Sequence, residues 1–264
     1  MKWLNSFLIL VACSYLHSCT QPAARVKEGM PMIAPEKILK DAQSLGYYNQ
    51  QYLHLSVNYT SLDTAGNKIS RKQFLQLFAS GKYLPVRLVT SDSSVCYRLY
   101  PVRENMDAGT VATLRYYSTT AYNDYKREGE VYPAFDFKDV TGRVYNAATT
   151  KGKILVLKFW FIHCTTCVKE MPALNQVVQK YTTHPEIEFL SFAFDTKEQL
   201  VNFLKQHPFR YAVIPVPESY PTAMKVNSFP THMIVNPEGK IARIVNSPAD
   251  LDRSLAEIIA PANK

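Results

Sequence analysis

Lys158-Phe159-Trp160-Phe161-Ile162-His163-Cys164-Thr165-Thr166-Cys167-Val168-Lys169-Glu170-Met171-Pro172 is the stretch that decides how this chain is read. Its front end closes an apolar run that begins at Ile154 and reads as a strand, and its back end opens a helix. Two cysteines separated by two residues on the first turn of a helix can close a small disulfide ring. The first thiol then lies beside the unpaired N–H groups of the helix, which together with the positive end of the helix dipole favour a thiolate. A thiolate is the species that attacks disulfides, so spacing and placement point to redox chemistry. A bare C-x-x-C can also be half of a zinc site, but the chain has no second one. Haem attachment would need a histidine directly after Cys167, where Val168 stands. Neither a metal nor a cofactor is expected.

Outward from the motif, strands and helices alternate. A strand at 134–138 turns through Asp139-Val140-Thr141-Gly142-Arg143 into Val144-Tyr145. Then come strand 154–160, helix 164–181, strand 187–194, helix 197–206, strand 211–216 and a short helix at 220–226. Strands 231–235 and 240–245 are joined by Asn236-Pro237-Glu238-Gly239, and a helix at 249–259 ends the pattern. This order implies a sheet covered on both faces, its last two strands forming an antiparallel hairpin.

The second half resembles the TlpA/ResA group of thioredoxin-like bacterial oxidoreductases that work outside the cytoplasm, especially its lipoprotein members. Four matches in order carry the resemblance over about residues 130–260: Pro133-Ala134-Phe135 with the following turn, Gly152-Lys153 leading to Lys158–Asn175, Phe229-Pro230-Thr231 before His232–Val235, and the closing hairpin at Asn236–Ile241. It implies a thioredoxin-like α/β fold, with Cys164 as the attacking thiol and Cys167 as the resolving one. It implies a cis peptide bond at Pro230 against the C-x-x-C, and a substrate strand contacted by Phe229, Trp160 and His163. Glu170, three residues after Cys167 on the same helical face, is implied to tune the proton traffic of the cysteines, with a solvated surface glutamate as the alternative. Lys158 departs from the group, where an acidic or amide residue is usual. Its ammonium either favours the thiolate from beneath or extends to a sheet edge without effect. Pro172 should kink the helix. His232 is expected to be a strand residue with no catalytic part.

The first half is quieter. Helices are expected at 35–45 and, behind the Ser70-Arg71-Lys72-Gln73 capping box, at 71–79. Strands are expected at 84–89, 95–102 and 110–117, with a polar connector at 121–130, and the tyrosine-rich composition suggests a β-rich region. Cys96, inside one such strand, reads as a small buried hydrophobe. No nucleophile, phosphate-loop or metal-ligand spacing appears here.

Met1-Lys2 and the apolar run from Trp3 to Tyr15 have the shape of a secretory signal, too short to span a bilayer. Leu16-His17-Ser18-Cys19 resembles a lipobox, making Cys19 the expected lipidated residue; Leu10-Val11-Ala12-Cys13 is the competing site. The expected organisation is a lipoprotein signal peptide over 1–18, a tether over 19–34, a small α+β accessory region over 35–127 and a thioredoxin-like domain over 128–264. The net charge of +8 suits anionic membrane faces or acidic partners, but no basic cluster with interleaved aromatics points to nucleic acid.

These readings converge on a lipid-anchored thiol–disulfide oxidoreductase of the bacterial cell envelope, more a reductant than an oxidant. Its expected partners are extracytoplasmic protein thiols and disulfides, with an upstream membrane electron donor. Two alternatives compete. A peroxiredoxin needs Thr or Ser three residues before its reactive cysteine, and Phe161 stands there. A non-catalytic binding module would not need both Cys164 and Cys167.

Overall fold

The computed structural model describes residues 28–92, 94–103 and 105–260. Cys13 and Cys19, and with them the expected signal and lipidation site, lie outside the described residues. Two short helices come first among the described residues, α1 (Pro35–Ile38) and α2 (Ala42–Tyr52), in place of the single helix expected at 35–45. The break falls at Asp41, whose carboxylate accepts the Ser44 N–H at 2.7 Å and so starts a new helix. Next come β1 (Thr60–Leu62), α3 (Arg71–Ala79) behind the expected Ser70/Gln73 capping box, β2 (Tyr83–Arg87) and β3 (Cys96–Pro101). The strands order β1-β3-β2, with β1 parallel and β2 antiparallel to β3. Residues 29–32, expected in the tether, instead pair with 87–89: the Gly29 N–H donates to the Val89 carbonyl and the Met32 N–H to that of Arg87, each at 2.9 Å.

The largest departure is α4 (Ala108–Arg127), a twenty-residue helix where a strand and a connector were expected. Asp107 caps it by accepting the Thr110 N–H at 2.9 Å. Thr110 and Ser118 lie fully buried on its inner face beside Leu114, and such polar positions hide a 3.6-residue apolar period. Most of the tyrosines taken as a β signal sit on helices, Tyr47, Tyr48 and Tyr52 on α2 and Tyr116, Tyr117, Tyr122 and Tyr125 on α4, whereas Tyr83, Tyr97 and Tyr100 lie on β2 and β3. The core of this half joins Leu45, Tyr48, Phe74, Phe78, Tyr97 and Leu114. Cys96 is half-buried on β3, and partial burial pushes its thiol pKa up.

The second half follows the expected order closely. β4 (Asp136–Lys138) and β5 (Val144–Asn146) form the entry hairpin, and β6 (Ile154–Trp160) is buried at all seven positions. The helix after β6 is split into α5 (Thr165–Lys169) and α6 (Met171–Lys180), with Pro172 in the first turn of α6. The remainder is β7 (Ile187–Ala193), α7 (Lys197–Leu204), β8 (Ala212–Pro215), α8 (Ser219–Ala223), β9 (Thr231–Val235), β10 (Ile241–Val245) and α9 (Pro248–Ile259). The sheet runs β10-β9-β6-β7-β8, parallel from β6 through β8 and antiparallel at β9 and β10. This is the thioredoxin-like arrangement. Alternation along β6 sends Leu155, Leu157 and Phe159 into one core, while Ile154 and Val156 join Leu174 of α6 and Leu251 of α9 in the other. Lys158 and Trp160 share the latter face.

The halves meet where α4 packs on β10. Glu128 takes both Arg71 nitrogens, at 2.6 and 3.0 Å, and lies 3.5 Å from Arg243. Glu257 on α9 accepts the Asn58 N–H at 2.9 Å, and His54 meets Asp250 at 2.7 Å. Among the described residues, no helix is long and apolar enough to cross a membrane.

Candidate active site

β6 ends at Trp160, the chain turns through Phe161–His163, and α5 begins with Cys164 as its N-cap. The Ile162 N–H donates to Asp195 beyond β7 at 2.9 Å, and the Cys164 N–H to the Phe161 carbonyl at 3.0 Å, so the turn is fixed from two sides. Cys164 and Cys167 are joined by a disulfide, with Cα atoms 5.2 Å apart. The Cys167 N–H points at Cys164 Sγ, 3.3 Å away, which is the kind of donor that stabilises a thiolate once the bond is reduced. The two sulfurs differ in access: Cys164 retains 9% exposure and Cys167 none.

The Phe229–Pro230 peptide is cis, as the resemblance implied. Antiparallel register pairs Phe159 with Thr231, so Pro230 lies beside the end of β6 from which the C-x-x-C departs. Phe229 packs against the cluster that contains both cysteines. It also forms an aromatic rim with Phe161 and Phe194, at ring distances of 5.6 and 5.5 Å. Phe161 and Phe194 were not singled out from sequence; both are aromatic residues at the C-terminal ends of strands, which is the available signal. His163 is exposed on the turn. Trp160 cannot contact a substrate as expected: it is fully buried beneath Phe203 and Phe209, because position 160 falls on the inward face of β6.

Beneath the cysteines lies a buried ionic cluster. Lys158 on β6 and His232 on β9 are cross-strand partners, both fully buried. Lys158 Nζ hydrogen-bonds Glu170 Oε1, and His232 Nε2 stands 3.1 Å from the same oxygen, though poorly aligned for a hydrogen bond. Glu170 occupies the α5/α6 break with 9% side-chain exposure, so it is not a solvated surface residue. Nor does Lys158 reach a sheet edge. Burial pushes the Lys158 pKa down, opposed by Glu170. Burial also works to raise Glu170, but His232 and Lys158 outweigh it and hold the carboxyl below its ordinary value. His232 is lowered by burial, and Tyr211, raised well above a normal phenol by burial, feels Glu170 as well. Glu170, three residues after Cys167, is therefore part of a compensated pair and not a lone carboxylate. His232, expected to be inert, is part of this cluster because of a strand register that the sequence does not display.

Comparison with known proteins agrees with this geometry. Residues 129–244, a little under half of the chain, match the AhpC/TSA family. The chain is similar to the thiol–disulfide oxidoreductase ResA of Bacillus cereus, 29% identical over 135 residues that span 50% of this chain and 78% of that protein. It is also similar to ResA of Bacillus subtilis, 30% identical over 120 residues, 45% of this chain and 66% of that one. Among solved structures, a thiol:disulfide interchange protein from Bacteroides sp. aligns with 22% identity and a TM-score of 0.46, covering 52% of this chain and 93% of its own. Through this second half, the chain resembles the TlpA/ResA-like thiol–disulfide oxidoreductases.

Proposed function

We propose that the Cys164–Cys167 pair reduces disulfides in protein substrates outside the cytoplasm, from a position tethered to the membrane by lipid on Cys19. The observation that carries the chemistry is the asymmetry of the pair: one sulfur at the surface beside an N–H donor, the other sealed one turn deeper. In the reduced protein, the Cys164 thiolate attacks one sulfur of a substrate disulfide and the other substrate sulfur leaves as a thiolate, which takes up a proton. Cys167, deprotonated, then attacks Cys164 Sγ. This closes the intramolecular disulfide and expels the second substrate sulfur. Two electrons pass from the cysteine pair to the substrate, and a donor dithiol from the membrane side restores the pair. Glu170 serves as the proton-handling group for Cys167, with Lys158 and His232 setting its charge state. Phe229, Pro230 and His163 flank the substrate at the exposed sulfur.

The AhpC/TSA match raises a peroxidase as the second reading. Phe161 supplies no hydroxyl three residues before Cys164, so hydrogen-peroxide turnover should be negligible. Single-cysteine variants test the main reading. Cys164→Ser should abolish insulin reduction, and Cys167→Ser should accumulate mixed disulfides visible on non-reducing gels. Equal trapping by both variants would contradict the assignment of roles. Equilibration with glutathione buffers should give a potential more negative than about −200 mV if the pair acts as a reductant.

A further inference from the structure

The last turn of α4 reaches out of its own half of the chain to the loop that leads into Pro230. Arg127 donates to the carbonyls of Met224 at 2.9 Å and Lys225 at 3.3 Å, and its side chain is only 12% exposed. Glu130 stands 3.6 Å from Arg127 and 3.2 Å from Lys225, so one carboxylate bridges the two cations. Among the described residues, Lys225 is the one non-glycine residue in the left-handed region, at φ 55°. A backbone in that region persists where its surroundings hold it, and here part of the hold comes from the accessory half.

Past this clasp the two elements diverge around a groove of about 750 Å³, with Tyr116, Thr120 and Asn123 of α4 on one wall and Asn227, Ser228 and Asn246 on the other. Ser228 directly precedes Phe229 and Pro230. β10 runs antiparallel to β9, so Asn246, just beyond its end, lies at the same end of the sheet as Pro230 and the cysteines. The groove thus continues the substrate side of the active site. Its lining suits a polypeptide: exposed amides at Asn123, Asn227 and Asn246 can donate to and accept from a peptide backbone, Tyr116, 53% exposed, offers an aromatic face, and five charged side chains of mixed sign complete it.

Resting on the exchange reaction above, we propose that this groove binds the extended segment flanking the reactive cysteine of a protein substrate. Helix α4 supplies one wall and Arg127 positions the other. The role of the accessory half is then to select polypeptide disulfides over small ones.

The test uses the reduced full chain and two synthetic substrates, each activated as a mixed disulfide with thionitrobenzoate: Gly-Cys-Gly, and a nine-residue Ser/Asn/Gly peptide with a central cysteine. Thionitrobenzoate release should show the longer peptide favoured by roughly tenfold in kcat/KM. Tyr116→Ala/Asn123→Ala should bring that ratio close to one. Arg127→Met should lower it through KM for the long peptide, with no change in the redox potential. Tyr47→Ala, on exposed α2 surface, should leave the ratio intact. Equal rates for both peptides in the native protein, or an unchanged ratio in the double variant, would overturn the proposal. A protein inert toward both peptides would instead sink the exchange reading on which it rests.

Discussion

A lysine with no exposure to solvent needs a partner, and Lys158 has Glu170. Removing one member of such a buried pair leaves an uncompensated charge, which costs about 3–5 kcal/mol, whereas removing both is often nearly neutral. Lys158→Met should therefore destabilise by roughly that amount, and Lys158→Met/Glu170→Gln should recover most of the loss in urea titrations. Additive losses would show that the pair is not coupled. Glu170→Gln alone should slow turnover and shift the thiolate absorbance curve of the reduced protein. The curve should move to lower pH, because the variant removes a carboxylate and leaves the Lys158 ammonium unpaired. His232 supplies a separate pH signature. Its folded pKa is depressed by burial below 6.5, so the unfolded chain takes up the proton first as pH falls. Stability from this residue is complete above 6.5 and is lost as pH drops toward the folded pKa. His232→Gln should flatten the decline in urea midpoint between pH 7 and pH 5; a parallel decline in the variant would assign the effect elsewhere.

Elements with a regular period and a local start signal were legible in the sequence. β6 and β9 span the residues expected of them, and α3 begins at its capping box. α4 was not legible, since its inner face carries Thr110 and Ser118 where leucines would have announced a helix. The site divides in the same way. Cys164 and Cys167 follow from a local motif, and Glu170 and Pro230 from the family resemblance, whereas the meeting of Lys158 with His232 depends on β6–β9 register, a non-local fact. Neither the groove nor the clasp at Arg127 could be read before α4 was known to be a helix. One further consequence of its position is testable. Asp124, half-buried where α4 meets Asn246, has a carboxyl pushed up to about 6 from 3.8 by burial. A raised carboxylate opposes folding once ionised. The shift is worth up to about 3 kcal/mol, and partial exposure reduces it to about 1–2 kcal/mol. Asp124→Asn should stabilise the protein by that amount at pH 7, with the gain vanishing below pH 4. A gain that persists in acid would point to packing and not charge.

For the whole molecule, the pairing of residues 29–32 with the β2 edge is the first sheet contact among the described residues. If Cys19 carries lipid, mass spectrometry of membrane-extracted protein should find a diacylglyceryl cysteine on the peptide beginning Cys19-Thr20-Gln21. A free, unmodified start in soluble extract would remove the anchor. With the anchor in place, the leash is short. About ten residues separate Cys19 from the first paired residue, a reach of at most roughly 35 Å. The folded body has a radius of gyration of about 17 Å, so it can rise from the bilayer by little more than its own width. Such a tether would confine its search for clients to a thin layer over the membrane, where encounter frequency follows surface density instead of bulk concentration. Lengthening the leash with a flexible insert before Gly29 should widen that layer and dilute the enzyme within it, slowing reduction of membrane-bound clients while bringing more distant ones into range.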